Sequence, residues 1–318
     1  MTLAGTAEKI RNMEIRGAGR IARAAVAALR DHMNDLRPGS LEEFRTEVSA
    51  AEDELLATRP TAVSLPNALH FVTNPARRAG TLEKARQILN DRADAFCENS
   101  RTALERIGRI GGRHIKEGDV LFTHCNSEAA LACILEARKE GKDFEVFATE
   151  VRPRNQGLLT IQTLNDAGIS TQYIVDSAAR YFMNEVDLVI VGADAITVNG
   201  AVVNKIGTSQ IALAAYEART NVMVAAETYK FAPRTILGEF IEIEERPDDE
   251  VLAREKAEQL PHVRVRNPAF DVTPARYVDL IVTEMGAIPP ELAYLIIREH
   301  LGWSIEEFQK TFEIDHRE

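Results

Sequence analysis

Through the first third of the chain, apolar residues recur at three-and-four spacing. Stretches such as ARAAVAALRDHM (22–33) and SLEEFRTEVSAAEDELLA (40–57) have the periodicity of helices that bury one face. Arg37–Pro38–Gly39 interrupts the pattern, and so does RPTAVSLPNAL (59–69), where Pro60 and Pro66 exclude a continuous helix. Near residue 109 the period changes. Short, nearly continuous apolar runs now alternate with helical ones: DVLFTH, EVFATE, STQYIVD, DLVIVGA, NVMVAAE and YVDLIVTE. Runs apolar on both sides of the pleat are expected of parallel strands covered by helices on both faces. The pattern predicts an α/β protein in two domains: a helical domain over residues 1–108, then a doubly wound, Rossmann-like parallel-sheet domain over 109–318. In such sheets ligands bind beyond the carboxyl ends of the strands, so the residues that follow each run are the first place to look for chemistry.

A length of 318 residues agrees with two domains, because a single core stops growing at about 250–300 residues. No apolar run approaches the roughly 18 residues of a membrane span, and the N-terminus has no basic segment followed by an apolar one. Three scattered cysteines offer no disulfide framework. A soluble, cytoplasmic protein with no membrane partner is expected. Lys and Arg number 38 against 49 Asp and Glu, a net charge of −11, which argues against nucleic acid as a partner. An anionic ligand would have to be held locally. The acidic runs Asp248–Glu250 and Glu306–Glu307 read as solvated faces.

Cys125 directly follows DVLFTH, and a helical pattern starts near Ser127. A thiol at a helix N-terminus can have a lowered pKa and serve as base or nucleophile; a buried structural cysteine is the other reading, and both are open for Cys125. Burial suffices for Cys97 and Cys133, which lie inside helical runs. Asp194 ends DLVIVGAD in the same way, where partial desolvation would suit a general acid. Taken alone it reads rather as the cap of the turn at 198–200. A thiol and a carboxyl group at two strand ends of one sheet can, however, face one crevice. Asn204 and Lys205, followed by Gly207–Thr208 at a helix start, would suit a phosphate or sugar hydroxyls as well as an ordinary capped helix. Gly17-Ala18-Gly19-Arg20-Ile21-Ala22 fits a dinucleotide fingerprint, yet EKIRNMEI before it is charged and helical in period, so that reading fails. Arg59 and Lys230 are further cations at loop positions. Neither the His and Cys spacing of a zinc site nor a serine-hydrolase elbow nor a phosphate-binding Walker loop is present.

RGAG at 16–19, RPTAV at 59–63, THCNS at 123–127, TEVRPRNQG at 149–157, GADAITVNG at 192–200, NKIGT at 204–208 and NPAFDVTP at 267–274 together resemble one family over nearly the whole chain. It unites methylthioribose-1-phosphate isomerase, archaeal ribose-1,5-bisphosphate isomerase and the regulatory subunits of the guanine-nucleotide exchange factor of translation initiation. The resemblance implies that Cys125 and Asp194 are the catalytic pair of the isomerase branches. It also implies that Arg16, Gly17, Ala18, Gly19 and Arg59 hold one end of a sugar phosphate, while Ser127, Glu128, Ala129, Asn204, Lys205 and Lys230 line the rest. Where the methylthioribose enzyme typically reads RGAP, AIG and CNAG, this chain reads RGAG, RIA and CNSE, which resembles the ribose-1,5-bisphosphate branch. Asn126 is shared with the methylthioribose enzyme. The implied reaction converts α-D-ribose 1,5-bisphosphate to D-ribulose 1,5-bisphosphate in AMP breakdown without metal or cofactor, in a homo-oligomer, a dimer or a trimer of dimers, activated by AMP. Methylthioribose-1-phosphate isomerase and a non-catalytic regulatory subunit are the alternatives.

Overall fold

The computed structural model describes residues 2–301 apart from Met13, Arg16, 60–62 and Glu239. The chain divides into two compact units: one runs to Ala103 and includes Tyr229–Phe231 and the segment from Ile297, and the other comprises Leu104–Thr228 and Ala232–Ile296.

The first unit is built from α1 (Leu3–Arg11), α2 (Ala18–Leu36), α3 (Leu41–Leu56), α4 (Ser64–Arg77) and the first part of α5 (Leu82–Gly112). Along α2 the buried residues are Ile21, Ala22, Ala25, Val26, Ala28, Leu29 and Met33, the three-and-four stripe of the sequence. They share one core with Phe44, Val48 and Leu55 of α3 and Leu65, Leu69 and Val72 of α4. Arg37 ends α2 in the left-handed conformation, φ 49°. The Ser40 hydroxyl then accepts from the Glu43 amide at 3.1 Å, and the Glu43 carboxylate accepts from the Gly39 amide at 2.7 Å, so α3 starts at a reciprocal cap. No helix runs through 59–69, as expected: α3 ends at Leu56 and α4 starts at Ser64, with Pro66 just inside it. That proline lies in the first turn of α4, where its missing N–H would have had no intrahelical partner. Pro60 lies outside the described residues.

Asn67 of α4, buried, ties the returning segment into this unit. Its side-chain amide donates to the carbonyls of Tyr229 at 2.9 Å and Phe231 at 2.7 Å. The Tyr229 ring packs 5.6 Å from that of Phe96.

The second unit centres on a seven-stranded sheet. Its strands are β1 (Val120–His124), β2 (Glu145–Thr149), β3 (Ser170–Ile174), β4 (Leu188–Gly192), β7 (Asn221–Ala225), β9 (Leu280–Thr283) and β10 (Gly286–Ile288), in the spatial order β10-β9-β7-β4-β1-β2-β3. All six runs read as strands are strands, and all pair in parallel. β10 is antiparallel to β9. Helices α6 (Glu128–Lys139), α7 (Gly157–Asp166), the one-turn α8 (Ala179–Phe182) and α9 (Thr208–Ala218) fall between strands. From β1 the chain builds outward through β2 and β3, then returns to lay β4 on the other side of β1. The topological switch point is therefore between β1 and β4.

A second, antiparallel sheet is an addition to the expected fold: β5 (Ala195–Ile196), β6 (Val202–Lys205) and β8 (Phe270–Thr273), in the order β5-β6-β8. Cys133 and Cys97 are buried, as expected of packing residues, and all three cysteines are free thiols. Among the described residues no helix is long and apolar enough to cross a membrane.

Replacing Asn67 with Leu removes both donors and leaves two buried carbonyls unpaired. Denaturant unfolding is expected to show a loss of about 1–3 kcal/mol for each carbonyl, with the transition confined to the helical unit if the two units unfold separately.

Candidate active site

Cys125 is the first residue past β1, and its backbone is left-handed, φ 68°. A non-glycine residue in that region is strained and persists only where its surroundings hold it. Here the buried Thr160 of α7 does so, its hydroxyl donating to the Cys125 carbonyl at 2.9 Å with Asn126 Oδ1 at 3.2 Å. The turn aims the thiol away from the strand, where Sγ donates to Gln156 Oε1 at 3.5 Å. Ser127, which follows, is the N-cap of α6 and accepts from the Ala130 amide at 3.2 Å. Glycine is required at 192 because a Cβ there would lie 2.2 Å from Ser127 Oγ.

The helix start does not lower the thiol pKa. Burial pushes it up to about 11, and the carboxylates of Asp194 and Asp176 add to the rise; the Lys205 ammonium and a hydrogen bond from the Asn126 backbone oppose it.

His124 lies under this loop, fully buried. Its Nε2 is 2.9 Å from the Ile206 carbonyl, which can only accept, so Nε2 carries the proton and Nδ1 accepts from Thr149 Oγ1 at 2.6 Å. Burial lowers its pKa first and Lys205 lowers it further, against the Ile206 hydrogen bond and Asp176, so the ring is neutral. The β2–α7 loop is strained as well: Val151 and Asn155 have φ of 61° and 51°, and a Cβ on Gly157 would sit 1.9 Å from the Thr149 carbonyl. Asp176, just past β3, holds it by accepting from the amides of Val151 at 2.9 Å and Arg152 at 2.8 Å.

Asp194 follows β4, beside β1 in the sheet, and its charge acts on Cys125. It is exposed rather than desolvated, because the chain leaves the sheet there to enter the β5–β6 hairpin. The turn at 198–200 is closed by Thr197 and Asn199. Asn204 is buried, its amide donating to Thr208 Oγ1 at 3.0 Å. Lys205 Nζ stands 4.8 Å from the centre of the Phe270 ring. Two of the amides that open α9 are already taken: Gly207 donates to Asp271 Oδ2 at 2.8 Å and Ser209 to both Asp271 oxygens at 3.1 Å. Burial pushes the Asp271 carboxyl up to about 6 in spite of those bonds, so near neutrality it is the anion at that helix start.

Residues 14–290 match the Initiation factor 2 subunit family. The chain belongs to this family. It is 53% identical over 298 residues to the ribose 1,5-bisphosphate isomerase of Methanocaldococcus jannaschii, covering 94% of this chain and 95% of that one. With the enzyme of the same name from Archaeoglobus fulgidus it shares 55% over 312 residues, 98% and 97% of the two chains. Identity to the methylthioribose-1-phosphate isomerase of Acetivibrio thermocellus is 38%, over 89% and 87%. Among solved structures, the translation initiation factor eIF-2B of Pyrococcus horikoshii superposes with a TM-score of 0.76 at 33% identity, over 91% and 97%.

Of the family positions, Cys125, Asp194, Asn204, Lys205, Ser127, Glu128 and Ala129 all lie in the second unit. Glu128 is exposed and Ala129 buried at the start of α6. Gly17, Ala18 and Gly19 open α2 in the helical unit, with helix α1 and not a strand before them; Gly17 has φ 86°. Arg59, partly exposed, follows α3, and Lys230 is buried in the segment returned to that unit. Arg16 lies outside the described residues. The sequence reading passed over His124, Gln156, Asp176 and Asp271. Adjacency to Cys125, membership of the motif TEVRPRNQG, a place just past β3 and membership of the motif NPAFDVTP were the available signals.

Glu250 is not the solvated acid expected. Arg246 and Arg154 each place a guanidinium nitrogen 2.6 Å from its Oε1, and the pairing with Arg246 above all holds its carboxyl down at about 2. Asp248 and Asp249 are exposed, and Glu306–Glu307 lie outside the described residues. A depressed carboxyl pKa stabilises the fold above the unfolded value of about 4.5 and loses that contribution as pH falls toward about 2. Glu250→Gln is therefore expected to flatten the loss of thermal stability across that window, with melting temperatures compared from pH 6 down to 3.

Proposed function

We propose that this protein is an aldose–ketose isomerase that converts α-D-ribose 1,5-bisphosphate to D-ribulose 1,5-bisphosphate, with Cys125 as base and Asp194 as acid. The observation that carries the proposal is a thiol and a carboxyl group at the ends of adjacent strands, on either side of the switch point, in a chain 53–55% identical to proteins bearing that enzyme's name. Methylthioribose-1-phosphate isomerase, at 38% identity, is the weaker reading.

A phosphate on C1 prevents the spontaneous ring opening that free aldoses undergo. The ring must therefore open by elimination: the Cys125 thiolate takes the proton from C2, the electron pair forms a C1=C2 double bond, and the C1–ring-oxygen bond breaks as Asp194 protonates that oxygen. In the second half the thiol returns the proton to C1, and the C2 hydroxyl passes its own to the Asp194 carboxylate and becomes the ketone, which restores the thiolate and the acid. With its pKa near 11, Cys125 rests as the thiol. Passing its proton to the Asp194 carboxylate creates both required forms at once and leaves the total charge unchanged. Because Asp194 is exposed, exclusion of water from the acid falls to the substrate seated over it.

Lys205 supplies positive charge at the thiol, and Asn204 is held rigidly beside it. Arg59, Lys230 and the 17–19 segment are assigned to substrate by resemblance alone. So are activation by AMP, a homo-oligomeric state and a cytoplasmic location.

A competition assay followed by phosphorus NMR tests the substrate. Ribose 1,5-bisphosphate is expected to be preferred over methylthioribose 1-phosphate by at least about 10³ in kcat/KM, the discrimination of sites built around polar groups. Preference for the methylthio sugar would move the protein to the other enzyme, and turnover of neither would remove the enzyme assignment.

Cys125→Ser and Asp194→Asn should each lower kcat by on the order of 10²–10⁴ with substrate affinity nearly unchanged. Single-turnover kinetics measure this, and near-native kcat in either variant would free that residue from its role.

A further inference from the structure

The motif NPAFDVTP (267–274) has no role in the chemistry above, yet two of its residues bear on Lys205 and on the turn after it. In the antiparallel β6–β8 pair, Lys205 stands directly opposite Phe270, and Asn204 opposite Asp271. The Phe270 ring faces the Lys205 ammonium at 4.8 Å, a cation–π contact that restricts where the long side chain can put its charge. Asp271 reaches across the pair to the turn that follows Lys205, accepting from the amides of Gly207 and Ser209. That turn cannot shift freely. Gly207 holds φ 105° against the His124 ring, where a Cβ would meet ring atoms at 3.0 Å, and the Ile206 carbonyl takes the His124 Nε2 proton. The next residue after His124 is Cys125. A continuous set of contacts thus joins β8, the turn at 206–209 and the residue before the thiol, all within one compact unit.

We propose that Phe270 and Asp271 are positioning residues that fix the Lys205 ammonium at the end of β6, where the chain turns through Ile206 against the residue before Cys125, Phe270 through its ring face and Asp271 by holding the turn that follows Lys205. The inference rests on Cys125 acting as the base. Among the described residues, Lys205 is the cation whose charge favours the Cys125 thiolate, and it is opposed by Asp194 and Asp176. The ammonium's effect falls with distance, so letting Lys205 wander makes the thiolate scarcer.

The test is alkylation of Cys125 by iodoacetamide in the intact protein at pH 8, read by peptide mass spectrometry so that Cys97 and Cys133 do not contribute. Well below its pKa a thiol reacts in proportion to its thiolate fraction. Phe270→Leu and Asp271→Asn are each expected to slow labelling by about threefold or more, as is Lys205→Met, since a shift of half a pKa unit changes that fraction by about that factor. Phe270→Tyr keeps the ring face and should label at the native rate. A merely structural role predicts the opposite sign, because a loosened loop exposes the thiol and speeds labelling. Unchanged or faster labelling in Phe270→Leu and Asp271→Asn overturns the proposal, and so does native labelling in Lys205→Met. Should Asp271→Asn fail to fold, the Leu and Tyr variants at 270 decide alone. Labelling needs no sugar phosphate, so slowed labelling in a protein that fails the competition assay would remove the substrate and leave the positioning role standing.

Discussion

Parallel pairing of β1 with β4 is the constraint on which the candidate site depends. The register sets His124 opposite Val191, so the chain leaves both strands at the same edge of the sheet, with Cys125 on one side and Asp194 on the other. From β1 the sheet grows one way through β2 and β3, and from β4 the other way through β7 and β9. In sheets of this kind ligands bind where the two directions part. Gly192 holds the register close: with Ser127 against it, no larger residue fits at the end of β4.

The backbone around that edge is held away from its comfortable conformations. Cys125, Val151 and Asn155 all have positive φ, and each lies in a loop leaving β1 or β2. For a β-branched residue such as Val151 this conformation is a genuine outlier. The surroundings supply the restraint through side chains on other elements: Thr160 of α7 donates to the carbonyl of Cys125, and Asp176, at the end of β3, accepts from the amides of Val151 and Arg152. Strain of this kind is a cost to folding, and its concentration at one sheet edge accords with a site that needs fixed geometry.

The sequence made some of this legible and hid the rest for physical reasons. Six parallel strands stand out because their apolar runs are nearly continuous, and their ends mark Cys125 and Asp194. The second sheet does not stand out: β5 has two residues and β6 four, too few for a period, and β6 pairs with a strand some sixty residues on. The thiol's raised pKa and the exposure of Asp194 are properties of packing, which local pattern does not carry. The free amides expected at α9 are taken by Asp271, 62–64 residues distant, and the solvated Glu250 pairs with Arg154, 96 residues distant.

The Asp271 carboxylate at the start of α9 changes what that helix can offer a ligand. A helix N-terminus ordinarily attracts free phosphate or sulfate through its amides and dipole. With its own anion built in, α9 presents a neutralised end, and Lys205 is left to supply the local attraction for negative charge. A single ammonium, seated against the Phe270 ring, then takes the place of a row of amides as the local seat for negative charge.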